Sequence, residues 1–167
     1  IKALGAVLLV SVLLSVGTAA FNNNHISLSV PYFGKNLCVH IEGDKYYVVG
    51  LCDETALDRQ INYIYRNTHS VEAVFIMNET QMNSLPLAVE KGLTFNKLYV
   101  SPDVKMNKLA RMNKAQYITE KVYIEDGFLT YDGGLVFTHN EKEYLLFDGR
   151  KTFEKYFLAV TERPSTR

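Results

Sequence analysis

Val71-Glu72-Ala73-Val74-Phe75-Ile76-Met77 decides the fold class. Six of these seven residues are apolar, and the run is too short for a helix that buries itself. It reads as a strand covered on both faces. On its N-terminal side, Asp53-Glu54-Thr55 supplies caps and early negative charge for a helix. Leu57, Ile61, Ile64 and Tyr65 follow at helical spacing. On its C-terminal side, Ser84 can cap a short helix to Lys91, which Gly92 ends. Lys97–Val100 is a further strand, closed by Pro102. Asp103 can cap a helix carrying Met106, Leu109 and Ala110. Helices and strands alternate around a buried strand, so the class is α/β with mixed sheets flanked by helices.

Further out, His25–Val30 alternates apolar and polar residues as a strand does. Leu37–Glu42 and Lys45–Leu51 flank Gly43-Asp44, which suits a two-residue hairpin turn. That turn sets Glu42 opposite Lys45 and Ile41 opposite Tyr46. Val39, Ile41, Tyr46 and Val48 then share one face; Cys38, His40, Tyr47 and Val49 share the other. Beyond the α/β core, Lys121–Ile124, Leu135–Thr138 and Glu143–Phe147 are strand-like. Lys151–Val160 has the pattern of a final helix with Phe153, Tyr156 and Phe157 inward.

The chain has 167 residues, 47% apolar and 22% charged, with 18 cations balancing 18 carboxylates. One domain plus a short extension fits this length, and disorder or a disulfide scaffold does not. A neutral chain is no globally basic nucleic-acid binder. Ala3–Phe21 lacks any charge, and Lys2 alone precedes it. Residues 1–21 are therefore expected to be a transmembrane helix or a signal peptide. Gly17-Thr18-Ala19-Ala20 provides small residues for cleavage. Residues 22–167 form the domain, joined through Asn22-Asn23-Asn24. Either reading of the leader can place the domain outside the cytoplasm, tethered to a membrane or secreted, with Lys2 the one close flanking charge that orients a membrane helix.

No intact catalytic motif stands in that domain. The four histidines, His25, His40, His69 and His139, lie far apart and form no His-x-His or His-x-x-x-His pair. Cys38 with His40, or Cys52 with a distant His, could build a nucleophile, but small buried cysteines serve more often as core. A Cys38–Cys52 disulfide needs a bulge or a distorted register, because the expected hairpin sets Val49 opposite Cys38. No phosphate-binding glycine loop is present. We expect no catalytic residue, no metal and no cofactor. One stretch stands out electrostatically: Lys91 to Lys121 holds seven cations against Asp103 and Glu120. Within it Lys105, Lys108, Arg111 and Lys114 recur every three residues. On a helix such a ridge can touch phosphates or anionic lipid without reading sequence.

This layout resembles the metallo-β-lactamase-like domain that follows the last membrane helix of ComEC-type DNA-internalisation channels. In that family a strand leads into "DVGQGD" and a hairpin ends in "LIDGG". Here Tyr32-Phe33-Gly34-Lys35-Asn36-Leu37 and Val48-Val49-Gly50-Leu51-Cys52 stand at those positions, and only Gly34 matches the first motif. The family's metal motif, "LTHPDADHIGGLP", corresponds to Ile76-Met77-Asn78-Glu79-Thr80-Gln81-Met82-Asn83-Ser84-Leu85-Pro86, which keeps Leu85-Pro86 but neither His nor Asp. Tyr144-Leu145-Leu146-Phe147-Asp148-Gly149 is similar to "FLLTGD", with Gly149 at the Asp position. The resemblance spans roughly residues 1–160. It implies a truncated, degenerate metallo-β-lactamase-like fold without hydrolase activity. It also implies a role at the membrane in competence and DNA uptake: contacting single- or double-stranded DNA, or other uptake-machinery subunits, through Lys105, Lys108, Arg111 and Lys114. The alternative is an independent secreted or membrane-anchored α/β binding or structural protein with no DNA role. An active hydrolase would require a stoichiometric metal.

Overall fold

A computed structural model describes residues 26–33 and 36–148. The expectations for the leader at 1–21, the hinge Asn22–Asn24, Gly34, Gly149 and the helix Lys151–Val160 lie outside these residues. The domain is α/β with mixed sheets, as expected. The stretch Val71–Ile76 is the centre of a six-stranded sheet and is flanked by parallel neighbours. In chain order the strands are β1 (Ser27–Ser29), β2 (Tyr32–Phe33), β3 (Asn36–Leu37), β4 (Val39–Glu42), β5 (Tyr46–Val49), β6 (Val71–Ile76), β7 (Phe95–Val100) and β8 (Gln116–Tyr117). The sheet runs β1-β4-β5-β6-β7-β8; β1, β4 and β5 pair antiparallel, and β5 to β8 pair parallel. β2 and β3 form a small separate ribbon. β9 (Val122–Ile124), β10 (Gly127–Tyr131), β11 (Gly134–His139) and β12 (Lys142–Asp148) form a four-stranded antiparallel meander.

Three helices, α1 (Glu54–Asn67), α2 (Glu79–Glu90) and α3 (Lys108–Met112), cover one face of the large sheet. That layer is mostly aliphatic: Val48, Leu57, Ile64, Val74, Ile76, Leu85 and Val100 are all fully buried in it. The meander covers the other face, where Ile41, Phe75, Leu129, Leu135 and Phe137 meet. Among the described residues, no helix is long and apolar enough to cross a membrane.

The β4–β5 hairpin differs from its expected register. Glu42 pairs with Tyr46 and Val39 with Val49, so the loop has three residues, Gly43-Asp44-Lys45. The extra residue flips β5 relative to β4. Tyr46 and Val48 therefore join the helix layer, while Val39, Ile41, Tyr47 and Val49 face the meander. The cause is a contact remote in sequence. The Glu125 carboxylate accepts from Asp44 N–H at 3.3 Å and from Lys45 N–H at 2.9 Å. A Cβ on Gly43 would sit 2.8 Å from Glu125 Cδ, so a larger residue there would push the Glu125 side chain aside.

Two helix starts also move. Asn78, not Ser84, caps α2, accepting from Gln81 N–H at 2.9 Å. Ser84 lies inside the helix and donates to Thr80 O at 3.2 Å. Pro86 is then an interior proline with no N–H for the carbonyl four residues back, Met82 O. Asn107 Nδ2 fills that vacancy at 3.1 Å. Asn107 also caps α3, with its Oδ1 accepting from Ala110 N–H at 2.8 Å, so the cap expected at Asp103 stands at Asn107 instead. β8 and β10 complete the sheets where no strand was expected. β10 is bounded by tight turns at Glu125-Asp126 and Asp132-Gly133, with Glu125 (φ 50°) and Gly133 (φ 67°) left-handed.

Candidate functional site: a cationic and aromatic segment beside a tyrosine-lined cleft

In parallel α/β sheets the carboxyl ends of the strands are the usual ligand-binding edge. Here polar side chains at that edge are used by the backbone. Gln60 of α1 donates from Nε2 to Gly50 O at 2.9 Å and accepts from Cys52 N–H at 2.8 Å. Gln81 of α2 accepts from Met77 N–H at 2.7 Å, and Glu79 accepts from Lys105 N–H at 2.9 Å. The stretch at the position of the resembled metal motif is thus spent on capping and on closing the strand ends. Among the described residues, no three His, Cys, Asp or Glu side chains cluster in a metal-binding arrangement.

The described histidines, His40, His69 and His139, are dispersed, and His25 lies outside the described residues. His40 is fully buried, with Nδ1 2.7 Å from the Tyr46 hydroxyl and its ring against Tyr63 of α1. Burial lowers its pKa from 6.5 to about 3, so it is neutral near pH 7. Its Nε2 has no hydrogen-bond partner. His69 is exposed in the loop before β6, and His139 Nδ1 lies 2.9 Å from Asp126. Cys38 does share the helix-side face with His40, as expected. Its sulfur, however, contacts Cys52 Sγ at 3.3 Å.

The four expected contact residues are all exposed. They do not form one helical ridge, because α3 spans only Lys108–Met112. Lys105 precedes the Asn107 cap, Lys114 follows the helix with φ 54°, and Arg111 folds back to donate to Met106 O at 3.1 Å. The ridge is instead a strap of loop, short helix and loop. Its apolar side is anchored by Met106 and Ala110.

Sequence reasoning missed what accompanies those cations. Three large hydrophobic side chains of the described residues are exposed: Met112 at 69%, Tyr117 at 44% and Tyr123 at 75%. All three fall in the segment that carries Lys105, Lys108, Arg111, Lys114 and Lys121, with Glu120 as its one carboxylate. Tyr117 and Tyr123 line a cleft of about 250 Å³ with Tyr99, Gln116 and Lys121. Lys121 Nζ also sits 4.2 Å over the Phe128 ring.

A neighbouring cleft of about 270 Å³ shares Tyr99 and Tyr123 and runs on to Lys45, Glu72 and Lys97. There the Asn96 amide, with Lys97 and Lys45 behind it, holds the Glu72 carboxyl below its usual range. Tyr99 stacks on Phe75 at 5.0 Å, which fixes the floor. The alternation of cations with tyrosines was present in the sequence; their exposure follows only from where β8 and β9 lie. Searches of protein-family models, of curated proteins and of solved structures find no match to this chain.

Proposed function

We propose that this domain is a non-catalytic binding module that contacts single-stranded nucleic acid through residues 105–123. The observation that carries the reading is the coincidence of the exposed Met112, Tyr117 and Tyr123 with five cations in that one segment. Single strands are held by cationic grooves that track the backbone and by aromatic faces on which bases stack. Lys105, Lys108, Arg111 and Lys114 supply the phosphate contacts, and among the described residues none of them is tied up in an ion pair with a carboxylate. Tyr117 and Tyr123 supply the stacking faces. The apolar residues 1–21 would tether the module to a membrane with the domain outside the cytoplasm. The resemblance to the degenerate metallo-β-lactamase-like end of a DNA-uptake channel gives that setting, with DNA and neighbouring uptake subunits as partners. The strand-end hydrogen bonds of Gln60 and Gln81 support a binding role over hydrolysis.

The test is binding of a labelled single-stranded oligonucleotide across a salt series. Replacing Lys105, Lys108, Arg111 and Lys114 together by Gln should lower the slope of log affinity against log salt by about 3, near 0.7 per phosphate contact. Tyr123→Ala should weaken binding by roughly 1–3 kcal/mol and leave that slope unchanged. Unchanged affinity and slope in the quadruple variant would sink the nucleic-acid role and favour an exported domain with another partner.

A further inference from the structure

Cys38 and Cys52 are free thiols, each at most 1% exposed, with sulfurs 3.3 Å apart. Fourteen positions separate them, and the whole β4–β5 hairpin lies between. Nothing in the strand register brings them together, since β4 begins at Val39 and Val39 faces Val49. The chain returns because Gly50 takes φ 89°, a left-handed conformation that carries Leu51 and Cys52 onto the helix side. Gln60 then fixes the turn from both sides, binding Gly50 O and Cys52 N–H. Phe33, Ala56 and Tyr63 close over the sulfurs.

We propose that Cys38 and Cys52 are the site of an intramolecular disulfide that links the start of β4 to the residue before the α1 cap. The sulfurs need to close by only about 1.2 Å to reach bonding distance. The proposal goes beyond the binding role and does not depend on it. The oxidant is a disulfide of the thiol-oxidoreductase or glutathione class. One cysteine thiolate attacks that disulfide, forming a mixed disulfide and releasing one thiol. The second cysteine thiolate then attacks the protein sulfur of the mixed disulfide and releases the other thiol. Two S–H bonds are lost and one S–S bond is gained, while the oxidant takes up two electrons and two protons.

The folded, reduced pair resists this chemistry. Hydrogen bonding to Cys52 and burial push the Cys38 thiol well above its usual pKa. Oxidation therefore precedes closure of Phe33, Ala56 and Tyr63 over the pair. The link would hold Gly50 in its turn and tie the start of β4 to α1.

The experiment refolds the full chain in a reduced-to-oxidised glutathione mixture, unfolds it in an alkylating agent, and maps peptides by mass spectrometry. The expected result is a Cys38–Cys52 cross-linked peptide pair with no alkylated cysteine. Its thermal midpoint should then fall by roughly 6–12 °C on reduction. The Cys38→Ala/Cys52→Ala variant should show no reductant dependence. Two alkylated cysteines after refolding, glutathione left on either one, or cross-links between chains would each overturn the proposal. Peptide mapping of the unsubstituted chain separates these outcomes even if the double variant fails to fold.

Discussion

The two faces of the six-stranded sheet are covered by different means. The helix face is sealed locally: Asp53, Asn78 and Asn107 cap the three helices, and Gln60 and Gln81 bond strand ends a few residues away. The other face is sealed by the meander, whose contacts reach back 80 positions, as Glu125 does to Lys45. It is richer in aromatics, and its rim opens into the two clefts around Tyr99 and Tyr123. The locally sealed face satisfies the backbone of its strand ends and leaves one buried polar atom, His40 Nε2, without a partner. The remotely sealed face leaves an accessible edge where the exposed Tyr117 and Tyr123 collect, beside the cationic strap of the helix face.

The strongest way to break this contrast is to remove Phe75, which is fully buried against the meander and stacked on Tyr99. Phe75→Ala should cost about 4 kcal/mol by urea unfolding, and Leu57→Ala on the helix face about 3 kcal/mol. If the faces behave as one cooperative unit, both variants keep a single transition with an unchanged denaturant slope. A second transition in Phe75→Ala would show that the helix layer survives alone.

Acid should break the other face. His40 titrates near 6.5 when unfolded but near 3 in the fold, so the unfolded chain binds more protons between these values. Stability is then intact above pH 6.5 and falls by about 1.4 kcal/mol per unit as pH drops toward 3. Hydrogen exchange should show α1 losing protection first, because His40 packs on Tyr63. His40→Gln should flatten this part of the stability curve. An unaltered slope in that variant would assign the acid sensitivity to carboxylates.

The smallest effect tests the bridge between the layers. Glu125→Ala removes two acceptors from an exposed loop and should cost about 1 kcal/mol. Exchange at Asp44 and Lys45 should rise more than at any residue of β6. Equal protection in the variant would mean the three-residue loop holds its register without Glu125.

The same contrast separates what the sequence discloses from what it hides. Val71–Ile76 and the Asp53 cap were legible because apolar periodicity and capping act within one or two turns. The hairpin register was not, since Gly43-Asp44 suits a two-residue turn until Glu125 arrives to claim Asp44 and Lys45. A cap at Ser84 would put Pro86 in the first turn, where proline is tolerated. The rescue of Met82 O by Asn107 allows that proline inside. The cations at 105–114 could be read directly. Their aromatic companions Tyr117 and Tyr123 could not, because strand-forming tyrosines are normally packed and their exposure depends on a sheet edge built from distant residues.

The late position of the meander also bears on how this chain leaves a ribosome. The large sheet is complete by Tyr117, yet the strands that cover Phe75 and Ile41 are spelled out between Val122 and Asp148. At roughly 5–20 residues per second, the last cover follows the sheet by a few seconds. During that interval a translating chain would present an open apolar sheet to the cell. A chaperone that recognises extended apolar surface would find its binding window there, and it would close when β11 docks.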